Sequence, residues 1–152
     1  MKTPILTIDS SACVEDRLTA NAQHNILPAR YLRKDENGTV IESPAELFER
    51  VAQNVASVED NYEAGPSADE MESDFENAMK ELRFMPNSPT LMNAGTDMNQ
   101  LSACFVLEPE DKMGDPDDGT YGGGILPTST EAGMVFKTGG GCGYPFHHLR
   151  PK

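Results

Sequence analysis

Two short stretches of this chain carry residues able to hold and reduce a small anionic molecule. The first runs Met85-Pro86-Asn87-Ser88-Pro89-Thr90-Leu91-Met92-Asn93-Ala94-Gly95 and sets hydroxyls and amides among prolines. Pro86 and Pro89 exclude a regular helix interior or central strand, so Asn87, Ser88 and Thr90 are expected as loop donors. The second, Ser102-Ala103-Cys104-Phe105-Val106-Leu107, places a thiol at the head of an apolar run suited to a buried strand. A loop of donors beside a strand-borne thiol could hold an anionic substrate against redox chemistry. The plainer reading is a proline-rich connection leading into a core strand with a structural cysteine, since free cysteines are commonly buried and inert. Residue types alone leave both open.

Other clusters carry less. Gly139-Gly140-Gly141-Cys142-Gly143-Tyr144 permits close backbone approach to a ligand. It is neither a dinucleotide fingerprint nor a P-loop, because Tyr144 stands where the last glycine belongs and no Gly-Lys-Ser/Thr closes it. Cys142 with His147 and His148 makes no ligand set of known spacing, and neighbours on a strand point oppositely, so no metal site is expected. Asp115, Asp117 and Asp118 lack the alternation and closing Glu of an EF-hand and read as a solvated loop. His24 has no partner in sequence and reads as a surface residue. No Ser-His-Asp or Cys-His arrangement can be placed by order alone.

The positioning frame must come from a chain of 152 residues with 25 acidic against 12 basic side chains and a formal net charge of −13. That balance argues against nucleic acid and anionic membranes as partners, since both need basic patches. An acidic substrate would need a local pocket of amides and a few cations. Such a surface also suits a very salty, halophilic cytoplasm, where screening removes self-repulsion. Cys13, Cys104 and Cys142 are odd in number and widely spaced, so they make no secreted disulfide framework. With no signal-peptide core and no apolar run of membrane-spanning length, a cytoplasmic location is expected.

Three segments are expected: an extended arm over 1–18, a helical region with a small hairpin over 19–85, and a strand-bearing region over 86–152. Asn37-Gly38 signals the hairpin turn. Ser43, Pro44 and Glu46 form a capping box with proline at the first helical position. Leu47, Phe48, Val51, Val55 and Val58 then make one apolar stripe, fading near Glu59. After the break at Gly65-Pro66, a second helix begins near Ser67, with Met71, Phe75, Met79 and Leu82 on its buried face. Met-rich stripes at this spacing are core far more often than binding surface. A short helix is expected from Thr128 or Ser129 through Phe136.

Taken in order, Asn87 to Gly95, Leu101 to Leu107, Thr138 to Tyr144 and Leu149-Arg150-Pro151 resemble the front part of the adenosylcobalamin-dependent (class II) ribonucleotide reductases. The likeness covers most of the chain from about Leu18 onward. It implies an α/β fold: a helical N-terminal region leading into the first part of a ten-stranded α/β barrel that this chain does not complete. It implies a nucleotide-reducing enzyme in which a cobalamin-generated thiyl radical acts and a cysteine pair is oxidised. Ser88 would bind the phosphate side of the ribonucleotide, Ala103 and Cys104 would line it, and Gly141 would contact it through its backbone. Cys104 would be one of the two thiols oxidised as the ribose 2′-hydroxyl leaves, with Cys142 not its partner. Asp111 and Arg150 match the places of residues that bind a dNTP effector, although Gly, Pro and Asp over 114–124 replace the start of the helix that shapes that site.

The resemblance further implies adenosylcobalamin as cofactor, held mostly downstream, a dithiol reductant, and the remainder of the reductase chain as partner. A truncated, split or interrupted gene is expected, with the piece inactive and poorly folded by itself. The competing reading is a non-enzymatic module, a helical hairpin plus anion-binding loop that binds a nucleotide or a partner chain. The large subunit of an iron-dependent reductase fits the motif wording less well.

Overall fold

The computed structural model describes residues 13–114 and 123–151. The chain divides into two units, the first ending at Asn99 and the second beginning at Gln100.

The first unit is helical. Helix α1 (Val14–Arg17) is one turn that buries Val14, where the sequence reading expects extended chain. A π-helical turn, Ala22–Ile26, runs into α2 (Leu27–Arg30), whose first turn accommodates Pro28. The expected hairpin reduces to one antiparallel bridge, Lys34 to Val40. Asp35 organises its turn by accepting from the Asn37 and Thr39 N–H groups at 2.9 and 2.7 Å, and Gly38 supplies the left-handed φ of 82°.

Helix α3 (Pro44–Ala56) starts as its sequence dictates. The Ser43 hydroxyl accepts from the Glu46 N–H at 3.2 Å, and the Glu46 carboxylate accepts from the Ser43 N–H at 2.7 Å. Its buried face is Leu47, Phe48, Val51, Ala52 and Ala56. Val58 lies beyond the helix, in a 3₁₀ turn (Ser57–Asn61), and is exposed. The stripe therefore closes on alanines, which let α3 approach α4 (Ala68–Lys80), its main packing partner. On α4, Met79 is buried, Met71 and Phe75 are half-buried, and Leu82 falls past the helix end at φ 55°, exposed.

The prolines around Ser88 do not keep the segment in a loop. Helix α5 (Ser88–Asn93) forms there, with Pro89 in its first turn, where a missing N–H costs nothing.

The second unit is a strand–helix–strand arrangement: β1 (Cys104–Val106), α6 (Ile125–Lys137) and β2 (Gly141–Gly143). The strands pair in parallel, with Cys104 opposite Gly141, Phe105 opposite Cys142 and Val106 opposite Gly143. Helix α6 begins at Ile125, earlier than expected, because Pro127 fits its first turn. The glycine turn feeding it is tied back by Ile125 N–H to Lys112 O at 2.8 Å and Leu126 N–H to Met113 O at 3.0 Å. The aspartates at 115, 117 and 118 lie outside the described residues. Among the described residues, no helix is long and apolar enough to cross a membrane.

Candidate functional site

In the helical unit the segment bearing Ser88 is gripped at both ends. Asn87 caps α5, its amide oxygen accepting from the Thr90 N–H at 3.0 Å and the Thr90 hydroxyl at 2.5 Å. Asn87 and Thr90 thus spend these groups on the helix end. Ser88 is exposed, and its hydroxyl sits 3.0 Å from that of Tyr31.

The other end of α5 is held by Arg50 of α3. Its guanidinium pairs with Glu42 (Nε to Oε1 2.6 Å, Nη2 to Oε2 3.1 Å) and donates to the Leu91 carbonyl at 3.3 Å and to the Ala94 carbonyl. Glu42 also accepts the Arg33 N–H at 2.9 Å, and the Arg33 guanidinium donates to the Gly95 carbonyl. The Arg50 and Glu42 side chains are only 9% and 6% exposed, so this charged pair is a buried clamp. The guanidinium reaches the orphan carbonyls at the helix end, and Gly95 follows the C-cap Ala94 in the left-handed conformation at φ 67°. Sequence reading missed Arg50 and Tyr31, because both act across long separations. The available signal was a charged residue beside Val51 on the inner edge of the α3 stripe.

In the second unit the structure brings Cys104 and Gly141 together as register partners. The expected buried strand is corrected here: Cys104 and Val106 are exposed, Val106 by 78%, and only Phe105 turns inward. Side chains alternate along a strand, so Cys104, Val106, Gly141 and Gly143 share one open face. Phe105 and Cys142 occupy the other. On that packed face a Cβ at Gly140 would lie 2.7 Å from Val135 Cγ1 and 3.1 Å from Phe105 Cε2, so packing alone demands this glycine. A Cβ at Gly141 would meet only the Ala103 carbonyl, at an ordinary 3.8 Å. Neither backbone conformation nor packing among the described residues calls for glycine at 141. Its N–H donates to the Ala103 carbonyl at 2.8 Å, so what the residue leaves on the open face is space beside the Cys104 thiol. Cys142, on the packed side, stands near Tyr144, whose hydroxyl is held above its ordinary pKa first by lost hydration and then by that thiol. All three cysteines are free.

Asp111 and Arg150 also come together, Arg150 Nε lying 3.0 Å from Asp111 Oδ2. His24 is exposed, as read from sequence. His147 and His148 depart from expectation: they lie in a turn, not a strand, and both approach Glu108. Strand alternation does not apply in a turn, and Glu108 could not be linked to them by spacing.

Comparison with known proteins agrees with this layout. The model of the ribonucleotide reductase all-alpha domain matches residues 16–99, ending where the helical unit ends. A vitamin B12-dependent ribonucleoside-diphosphate reductase of Mycobacterium tuberculosis (strain CDC 1551 / Oshkosh) is 43% identical over 139 residues, covering 91% of this chain and 19% of the relative. A protein of the same description from Thermoplasma acidophilum is 34% identical over 190 residues, covering 90% and 23%. The ribonucleoside-diphosphate reductase large chain of Schizosaccharomyces pombe is 34% identical over 116 residues, covering 75% and 12%. The chain belongs to the ribonucleotide reductase family, and its helical unit is that family's all-alpha domain. It spans about a fifth of the length of the vitamin B12-dependent relatives it matches.

Proposed function

We propose that this chain supplies the front of the substrate site in an adenosylcobalamin-dependent ribonucleotide reductase, a cytoplasmic enzyme that converts ribonucleotides to deoxyribonucleotides. The observation that carries the reading is the open face of the ladder, where a thiol stands beside a glycine that nothing among the described residues requires. Room of that kind is what a ligand needs to approach backbone closely. The open face would line the interior of a ten-stranded α/β barrel completed by further strands.

Cys104 gives up one electron and its proton as one of two thiols. As the ribose 2′-hydroxyl leaves as water, the pair becomes a disulfide, which a dithiol reductant then returns to two thiols. Cys142 is not the partner, because alternation turns it to the opposite face. Ser88 serves the phosphate side through its exposed hydroxyl, with Tyr31 setting the rotor. Ala103 lines the ribose, and Gly141 contributes clearance. Asp111 and Arg150 are assigned to a dNTP effector, and their ion pair would have to open to admit it.

The Mycobacterium tuberculosis and Thermoplasma acidophilum relatives are named as vitamin B12-dependent, so adenosylcobalamin is the cofactor assigned to the complete enzyme. The cofactor's contacts are assigned mostly to the parts of the complete enzyme that follow this chain.

The test is made in the complete reductase. Gly141→Val should fold, since valine suits a strand and its Cβ has space, yet weaken ribonucleotide binding about tenfold or more. Cys104→Ser should stop multiple turnover with a dithiol. Normal substrate binding by Gly141→Val together with normal turnover by Cys104→Ser would end this reading.

A further inference from the structure

The second unit gathers three side chains that the reductase reading leaves unused. Glu108 leaves β1 just after Leu107, whose N–H donates to Gly143 O at 3.0 Å. His147 and His148 occupy the turn that follows β2. Both imidazoles converge on one carboxylate oxygen: His148 Nε2 lies 2.8 Å from Glu108 Oε1, and His147 Nε2 lies 3.8 Å from it. The ring centroids are 3.9 Å apart, with planes inclined at 42°. A hydrogen bond accounts for the shorter contact. It does not account for the second imidazole, whose Nε2 stands beyond hydrogen-bond reach of the same oxygen.

A tetrahedral metal ion accounts for both. Bonds of about 2.0–2.1 Å from zinc to imidazole nitrogen or carboxylate oxygen set neighbouring ligand atoms about 3.3 Å apart. The two observed separations bracket that value, and ligand atoms of all three residues lie within 4.8 Å of one another. The side chains are exposed, so small rotations about their own bonds would close the set without moving backbone.

We propose that Glu108, His147 and His148 form a site for a divalent transition-metal ion, zinc in the first instance, with water completing the coordination. Two imidazoles and one carboxylate suit zinc, nickel, cobalt or copper, whereas magnesium and calcium want oxygen alone. The net charge of −13 over the whole chain favours a cation. Glu108 and His148 line a cavity of about 380 Å³ together with Glu110 and Asp111, whose carboxylates are already paired with Lys112 and Arg150. The site lies at the C-terminal ends of two parallel strands, where open α/β sheets receive their ligands. A bound ion would clip the segment leaving β1 to the turn leaving β2.

The experiment uses the complete reductase, untagged, stripped with chelator and titrated with Zn²⁺ by calorimetry and with Co²⁺ by visible absorption. One ion per chain is expected, with a cobalt spectrum free of the intense near-ultraviolet band that thiolate ligation produces. His147→Ala and His148→Ala should each weaken Zn²⁺ binding about tenfold or more, Glu108→Gln should also weaken it, and Cys142→Ser should not. These residues are exposed, so matching circular dichroism among the variants is expected and excludes a folding defect as the cause. Absence of saturable one-to-one binding would overturn the site. So would binding that survives the double His147→Ala/His148→Ala variant, or a thiolate band that Cys142→Ser removes.

Discussion

In the helical unit Leu47, Phe48 and Val51 are at most 2% exposed, and eight further hydrophobic residues are buried among the described residues. In the strand–helix–strand unit, Ala132, 4% exposed, is the one buried hydrophobic residue among the described residues, while Val106, Met134, Phe136 and Phe146 are more than half exposed. Each fully buried Leu, Phe or Val contributes roughly 1.5–3 kcal/mol, so the first unit carries its own stabilisation and the second carries little. The contrast separates two tasks. The helical unit conceals apolar surface and holds Ser88 by its flanks, whereas the second unit presents a thiol and clearance on an uncovered face.

The largest effect should come from cutting the clamp in the helical unit. Arg50→Ala leaves the Glu42 carboxylate buried without its partner, and urea unfolding followed by far-ultraviolet circular dichroism should show a loss of about 3–5 kcal/mol. Replacing both residues, as Arg50→Met with Glu42→Leu, should cost clearly less than the single change. A loss below about 1 kcal/mol for Arg50→Ala would mean that this pair is no more than a surface contact.

A smaller effect sharpens the contrast within the second unit. Gly140→Ala pushes a methyl group against Val135 and Phe105 and should destabilise that unit by about 1–3 kcal/mol. Gly141→Ala should leave the unit's stability almost unchanged. Amide hydrogen exchange of the α6 and β2 backbone would register the difference, and equal effects at the two glycines would erase the distinction between packed and open faces.

The smallest effect lies at the start of α3. Ser43→Ala should cost about 1 kcal/mol. The Ser43 N–H and hydroxyl hold the Glu46 carboxyl below its ordinary pKa. A carboxyl depressed on folding stabilises the folded chain above its unfolded pKa, and that contribution is lost as the pH falls through the folded value. Thermal midpoints measured from near neutrality into the acid range should therefore fall less steeply in Glu46→Gln, which keeps an acceptor but no charge. Identical slopes would remove the charge from the cap's role.

What was legible in the sequence was local. The α3 cap could be read from Ser43, Pro44 and Glu46 because a capping box closes within four residues. The turn at Asn37-Gly38 and the start of α4 at Ser67 were readable for the same reason. Pro89 misled because a proline that forbids a helix interior is welcome in its first turn, and the two cases look alike in sequence. Cys104 heads the expected strand, but its exposure depends on what covers the face, which no local pattern encodes. The Arg50 contacts to Leu91 and Ala94 span 41 and 44 residues, and the approach of His147 and His148 to Glu108 depends on a turn. Motif order, by contrast, carried the family, since several short motifs in sequence constrain more than any one of them.

The guanidinium grip on Leu91 and Ala94 has a consequence for the timescale on which Ser88 can move. A six-residue helix in water frays almost as soon as it forms, because nucleation is costly and few bonds follow it. Here the last carbonyls of α5 are bonded to a side chain rooted in the α3 core, so fraying from that end must break bonds to a guanidinium that a buried carboxylate holds in place. Opening of α5 is thereby coupled to the rare, cooperative openings of the helical unit and removed from the fast motions of ordinary loops. The Ser88 hydroxyl, carried on an exposed rim, inherits the residence time of the core behind it.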